Sequence, residues 1–135
     1  MPNWCSNTVY LSHETQDKID ALCVELSKEK PELFDRIMPT PKRLLDGEGW
    51  YHWRIEKWGT KWNPSIYDFQ KENDGSLRIE FDTAWSPPIG IYEFLTETGF
   101  HVDACYSEDG MCFRGTYTSE NGDLCEDYEP EEEYA

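Results

Sequence analysis

The sequence predicts an α+β domain, an antiparallel sheet of four to five strands with two main helices on one face. Three observations lead there. Apolar and polar residues alternate with a period of two in separate runs at 3–12, 65–73, 76–85, 101–107 and 111–119. Two stretches with helical spacing, at about 15–28 and 86–99, stand between strand runs. The chain has 135 residues, of which 15% are aromatic, enough for one domain with its own core and too many aromatics for a disordered chain.

In "NWCSNTVYLS" (3–12) Cys5, Asn7, Val9 and Leu11 alternate with Trp4, Ser6, Thr8 and Tyr10, which makes a strand with one face inward. Ile19, Leu22, Cys23 and Leu26 then fall at i, i+3, i+4 and i+7, one face of a helix. Prolines 31, 39 and 41 interrupt the next stretch, because each lacks a donor and restricts its predecessor, so 39–49 is expected to be loop. Residues 50–58, "WYHWRIEKW", fit a short helix ended by Gly59. Residues 39–64 together form a Pro/Trp-rich insertion.

"SIYDFQKEN" and "SLRIEFDTAW" flank Asp74-Gly75, a dipeptide favoured in tight hairpin turns. Leu77, Ile79 and Phe81 face one way, and Arg78, Glu80 and Asp82 the other. Ser86 is a candidate cap and Pro87 suits a first turn; Ile91, Phe94 and Leu95 make an apolar stripe, and Gly99 suits a helix exit. "HVDACYS" and "MCFRGTYTS" alternate around "EDG" (108–110), a second hairpin. From about 120 to 135 the chain is acidic without a base and is expected to be a solvated tail. The core order β-α-β-β-α-β is that of the split βαβ, or ferredoxin-like, arrangement in one domain spanning 1–135, with a fifth strand extending an edge.

Charge is distributed unevenly. The net charge is -16; residues 1–71 hold 10 Lys and Arg against 11 Asp and Glu, a net of -1, and residues 72–135 hold 2 against 17, a net of -15. Such a domain repels polyphosphate, so direct nucleic-acid binding is not expected, whereas a basic protein surface is a fitting partner. No apolar run is long enough to span a bilayer, and none reads as a signal peptide, so a cytoplasmic protein with no membrane partner is expected. Cysteines 5, 23, 105, 112 and 125 are odd in number, form no CxxC pair, and fit reduced thiols in such a compartment.

"MPNWCSNTVYLS", "WGTKWNP" (58–64), "FDTAWSPP" (81–88) and "YSEDGMCFRGTY" (106–117) occur in this order. On them the chain, from residue 2 to about 117, resembles the YubB ferredoxin-like domain family of phages, prophages and conjugative plasmids. The resemblance implies a ferredoxin-like topology without an iron–sulfur cluster, and a mobile-element setting in a bacterial host cell. It brings no catalytic residues with it. Accessory proteins of such elements often act on host machinery, including restriction or CRISPR-type defences, an association by genome type alone.

The candidate sites derive from these features. In "WRIEKWGTKWNP" (53–64) Trp58 or Trp62 can stack a base, with Lys57 and Lys61 on phosphate, but the same tryptophans can fill a core while the lysines lie over the rings or pair with acids. The structural use is preferred. Trp85, between a strand and a helix, is read as packed beneath a turn stiffened by Pro87 and Pro88; were it to meet Trp58, Lys61 and Trp62, a ligand pocket would result. Glu80, Asp82, Asp103, Glu108, Asp109, Glu120 and Asp123 are the candidate acidic, protein-binding surface, set against a plain solvated face.

Catalysis finds no foothold. His13, His52 and His101 lack a flanking motif, and the Cys105, Cys112 and Cys125 spacing is too wide for a zinc site. No metal and no cofactor are expected. The favoured function is therefore a non-enzymatic, acidic accessory protein binding a host protein that handles nucleic acid, as an anti-defence inhibitor would. The alternative is a small-molecule or nucleotide-binding module with the aromatic pocket.

Overall fold

The computed structural model describes residues 3–127. Its elements are β1 (Trp4–Ser12), α1 (Gln16–Leu26), α2 (Leu33–Ile37), a 3-10 turn (Lys42–Leu44), α3 (Gly49–Lys57), β2 (Ser65–Lys71), β3 (Leu77–Ala84), α4 (Ile89–Glu97), β4 (His101–Glu108), β5 (Phe113–Thr118) and β6 (Gly122–Asp127). One antiparallel sheet runs β2-β3-β1-β4-β5-β6. Its first four positions are the ferredoxin-like order: β3 lies between β1 and β2, and β1 lies between β3 and β4, so each helical crossover spans an inserted strand.

Alternation decides which face is buried. Cys5, Asn7, Val9 and Leu11 point into the protein, as do Leu77, Ile79 and Phe81 of β3 and Val102, Ala104 and Tyr106 of β4. Ile19, Leu22 and Leu26 of α1 and Ile91, Tyr92 and Leu95 of α4 close over them in a single cluster. Asn7, buried within this layer, is fully engaged. Its amide nitrogen donates to the Cys5 carbonyl (3.1 Å) and to the Thr83 hydroxyl (3.0 Å), and its oxygen accepts from Tyr92 Oη (2.9 Å). Burial pushes the Cys5 thiol up to about 12 and the Tyr92 phenol well above its usual range, so both stay neutral.

Several expectations need correction. The sheet has six strands rather than four or five, because residues 122–127, assigned to the acidic tail, pair with β5 from Phe113↔Asp127 to Thr118↔Gly122. Pairing with a neighbouring strand satisfies this backbone whatever its side chains, and Gly122 turns the chain with φ of 69°. The remainder of that tail, 128–135, lies outside the described residues. Among the described residues there are four helices rather than two main ones: α2 forms between Pro31 and Pro39, and α3 is the short helix expected over 50–58. The first hairpin does turn tightly at Asp74-Gly75, as expected. Gly75 N–H donates to Glu72 O and Glu72 N–H to Ser76 O, a three-residue loop with only Gly75 at positive φ.

Ser86 does not cap α4; its hydroxyl donates to the Gly59 carbonyl (2.6 Å). The Trp58 carbonyl takes that role, accepting from Gly90 N–H (3.1 Å) and Ile91 N–H (3.4 Å). This contact needs a glycine, because a Cβ at residue 90 would sit 1.8 Å from the Lys57 carbonyl oxygen. Gly90→Ala is therefore expected to lower stability by about 2–4 kcal/mol in urea unfolding, since backbone on both sides must move. Gly47→Ala, where nothing lies within 4 Å of the added Cβ, is the matched control and should stay within about 0.5 kcal/mol of the parent.

Candidate functional site

The Trp-rich segment resolves into an inner and an outer part. Trp58 has no exposed surface. Its indole N–H donates to the Met38 carbonyl (2.9 Å), its ring meets Phe34 and Trp53 edge-on, and the Arg54 guanidinium lies 4.6 Å from its centroid. Arg54 also covers Trp50 (5.0 Å), and its Nε donates to the Thr40 hydroxyl. Asp35 gathers the same region, accepting from Thr40 N–H (2.9 Å), the Thr40 hydroxyl (2.8 Å), Asn63 Nδ2 (2.9 Å) and Arg54 (3.4 Å). Asn63 Oδ1 in turn accepts from the N–H groups of Phe34 and Asp35, the start of α2. This part of the segment is scaffold, and Trp58 cannot line a ligand pocket.

Lys61 and Trp62 are the outer part. Trp62 is 38% exposed, packs against Trp4 (6.1 Å between centroids, 35° between planes), and carries Lys61 Nζ 4.3 Å above its ring. Trp85 is exposed rather than packed beneath the turn. It holds a positive φ of 68°, and its N–H donates to Asn3 O, which continues the β1–β3 ladder by one residue. Burial of Trp58 thus removes the centre of the pocket composed of Trp58, Lys61, Trp62 and Trp85, and leaves Trp62 paired with Trp4 at an exposed corner.

The sheet face away from the helices carries the acidic residues. Register sets its columns. Ser6 lies opposite Asp82 and Ser107, Thr8 opposite Glu80 and Cys105, and Tyr10 opposite Arg78 and Asp103. Beyond them, Ser107 meets Arg114 and then Glu126, and Cys105 meets Thr116 and then Leu124. On the other side Asp68 of β2 pairs with Glu80, after a bulge between Ile66 and Asp68. The apolar residues that α1, α2 and α4 bury all belong to the cluster on the opposite face.

Of the expected acidic set, Glu80, Asp82 and Asp103 share this open face. Asp109 and Glu120 lie in turns at its rim, with Glu120 against the His101 ring. Asp123 faces the other way, where it accepts from the Tyr106 hydroxyl; burial, and then this contact, push the Tyr106 phenol above its usual range. Glu108 is a correction. It is 1% exposed, and its carboxylate accepts from Gly110 and Met111 N–H groups, holding the β4–β5 turn. Even-numbered β4 residues point inward, so the strand's own parity places Glu108 with Val102, Ala104 and Tyr106. Asp68 is the member of this face that sequence reasoning missed, because the bulge after Ile66 reverses the parity of β2 and plain counting would have sent it inward.

The face is polar and internally tied. Arg78 donates to Asp68 (3.0 Å) and Glu80 and lies 3.5 Å from Glu72. Asp82 accepts from the Ser6 and Tyr67 hydroxyls, and the latter hydrogen bond pushes the Tyr67 phenol up. The Asp103 carboxylate has no hydrogen-bond or ion-pair partner among the described residues. A hollow of about 670 Å³ sits over β1, β4, β5 and β6, floored by Ser6, Thr8, Cys105, Ser107 and Thr116 with Arg114 at its side. Among the described residues no group of three His, Cys, Asp or Glu is placed to hold a metal ion, and no helix is long and apolar enough to cross a membrane.

Residues 57–135 match the family model described as a ferredoxin-like domain in Api92-like protein. The crystal structure of a protein api92 from Yersinia pseudotuberculosis aligns with a TM-score of 0.48 and 18% identity, over 73% of this chain and 40% of that one. The chain thus spans about 40% of the length of that protein. No curated protein matches the sequence.

The Asp35 cluster has a pH signature. Partial burial pushes its carboxyl up, but the Thr40 and Asn63 hydrogen bonds and the Arg54 charge outweigh burial and hold it below the usual carboxylate range. A depressed carboxyl stabilises the fold above its unfolded-state pKa, and that contribution is lost as the pH falls through the folded-state value. Asp35→Asn should therefore be less stable than the parent at pH 7, and the gap should close below about pH 4. Chemical denaturation at a series of pH values reads this directly.

Proposed function

Because the chain belongs to the family of ferredoxin-like domains in Api92-like proteins, whose description gives a fold, we propose its function from the open face: it is a non-enzymatic module that docks an acidic sheet surface on a basic surface of another protein. The observation that supports this is the gathering of Asp68, Glu80, Asp82, Asp103 and Glu126 on one uncovered sheet face. Arg78 is already held by neighbouring carboxylates. Negative charge so arranged steers a basic partner and repels nucleic acid itself.

The partner is a host protein that handles nucleic acid, since a groove built for phosphates offers the complementary charge. The YubB resemblance adds a setting for this proposal: a mobile element in a bacterial cytoplasm, with a restriction or CRISPR-type defence as target. A second reading draws on the hollow of about 670 Å³, whose mixed floor of hydroxyls and apolar atoms suits a small ligand. Native mass spectrometry of the purified protein separates the two, because a retained small mass supports the ligand and a bare chain removes its main support.

The docking proposal is tested by tagged pull-down from bacterial lysate at low and high salt, followed by calorimetry with the captured protein. The combined variant Asp68→Asn, Glu80→Gln, Asp82→Asn, Asp103→Asn should weaken binding by about tenfold or more at low salt, with a smaller difference at high salt. Unchanged binding by a folded variant would remove the open face as the interface.

A further inference from the structure

Beyond its charge, the open face has one corner with directional chemistry. Trp4 belongs to the outward-facing set of β1, and it lies opposite Ala84 while Ser6, two residues on, lies opposite Asp82. Trp4 and Asp82 are therefore diagonal neighbours on one face, within reach of a long side chain that touches both. Trp4 and Trp62 are 41% and 38% exposed, an unusual display for two packed indoles. The Trp62 ring already holds a cation, the Lys61 ammonium 4.3 Å from its centroid. Asp82 beside them is kept in place by the Tyr67 and Ser6 hydroxyls.

We propose that Trp4, Trp62 and Asp82 form the point at which this face reads an arginine side chain of its partner. The inference rests on the docking reading and names the side chain that the docking uses. A guanidinium is planar and weakly hydrated, so it lies flat on an indole while its edge donates hydrogen bonds to a carboxylate. The corner offers both surfaces: a ring face on Trp4 and the Asp82 carboxylate two residue pairs along the strand. A lysine ammonium is a compact, strongly hydrated charge without a planar edge and cannot use the two together. Lys61 on Trp62 is the intramolecular counterpart, a cation on the neighbouring ring that shows which ligand charge these faces accept. Tyr10, 44% exposed and farther along the same strand, gives a second flat ring for a neighbouring basic side chain.

The experiment is calorimetric titration of the full chain with synthetic hexa-arginine and hexa-lysine peptides, which match in length and charge. The arginine peptide should bind about fivefold tighter or more. Trp4→Leu and Asp82→Asn should each bring that ratio close to one, whereas Asp103→Asn should weaken both peptides alike. Trp62→Leu serves as the second aromatic test, and Asp82→Asn keeps the side-chain shape if Trp4→Leu disturbs the fold. Equal affinities for the two peptides, with both weakened by Asp103→Asn, would overturn the arginine corner and leave the acidic docking face standing. No binding of either peptide by the parent protein would overturn both.

Discussion

Burial of Trp58 organises the helical side of this protein and, through it, the rest of the chain. The ring closes the core against Phe34 and Trp53, its indole N–H ties to the Met38 carbonyl, and its backbone carbonyl takes the Gly90 and Ile91 N–H groups in the first turn of α4. A large indole inserted whole has a donor that must be paired, and the main chain of the insertion's neighbourhood pairs it. The same residue thus fixes α2, the loop after it, α3 and the start of α4 at one point. Gly90 lets two backbones meet there at a distance no side chain permits.

Arg54 explains why basic residues occur amid these tryptophans in so acidic a chain. Its guanidinium lies over Trp50 and Trp58 and reaches Asp35 and Thr40, so its charge is matched inside the scaffold. The helices and their polar cluster lie on one side of the sheet, while the end of the insertion brings Trp62 against Trp4 on the other, which has no helical layer. That asymmetry gives the open face its character. Hydroxyls of Ser6, Thr8 and Thr116 floor it, carboxylates flank it, and indoles stand at one end.

The acidic residues divide by the job their geometry gives them. Glu108 holds a turn from within, Asp35 and Glu25 accept backbone N–H groups, and Asp123 takes a phenol. Glu80, Asp82 and Asp103 are the ones that strand parity sends outward. A net charge counted along the chain mixes these roles, so the charge available to a partner is smaller and more localised than -16 implies.

The periodic elements were legible without a structure. Alternation in 3–12, 76–85 and 101–107, the spacing of Ile19, Leu22 and Leu26, and the glycines at 59, 75 and 99 each act through local backbone geometry, and all appear where expected. From these the ferredoxin-like order of four strands follows. Long-range packing, by contrast, placed Trp58 inside and Trp62 and Trp85 outside, joined Trp4 to Trp62, and paired residues 122–127 as a sixth strand. The difference lies in the range of the interactions. Periodicity reports what a residue's own chain neighbours require, whereas these placements depend on partners far along the chain or on an edge already formed. Met38 and Gly90 decide for Trp58, β3 for Trp4, and a ready-made β5 edge for a segment too acidic to look like a strand.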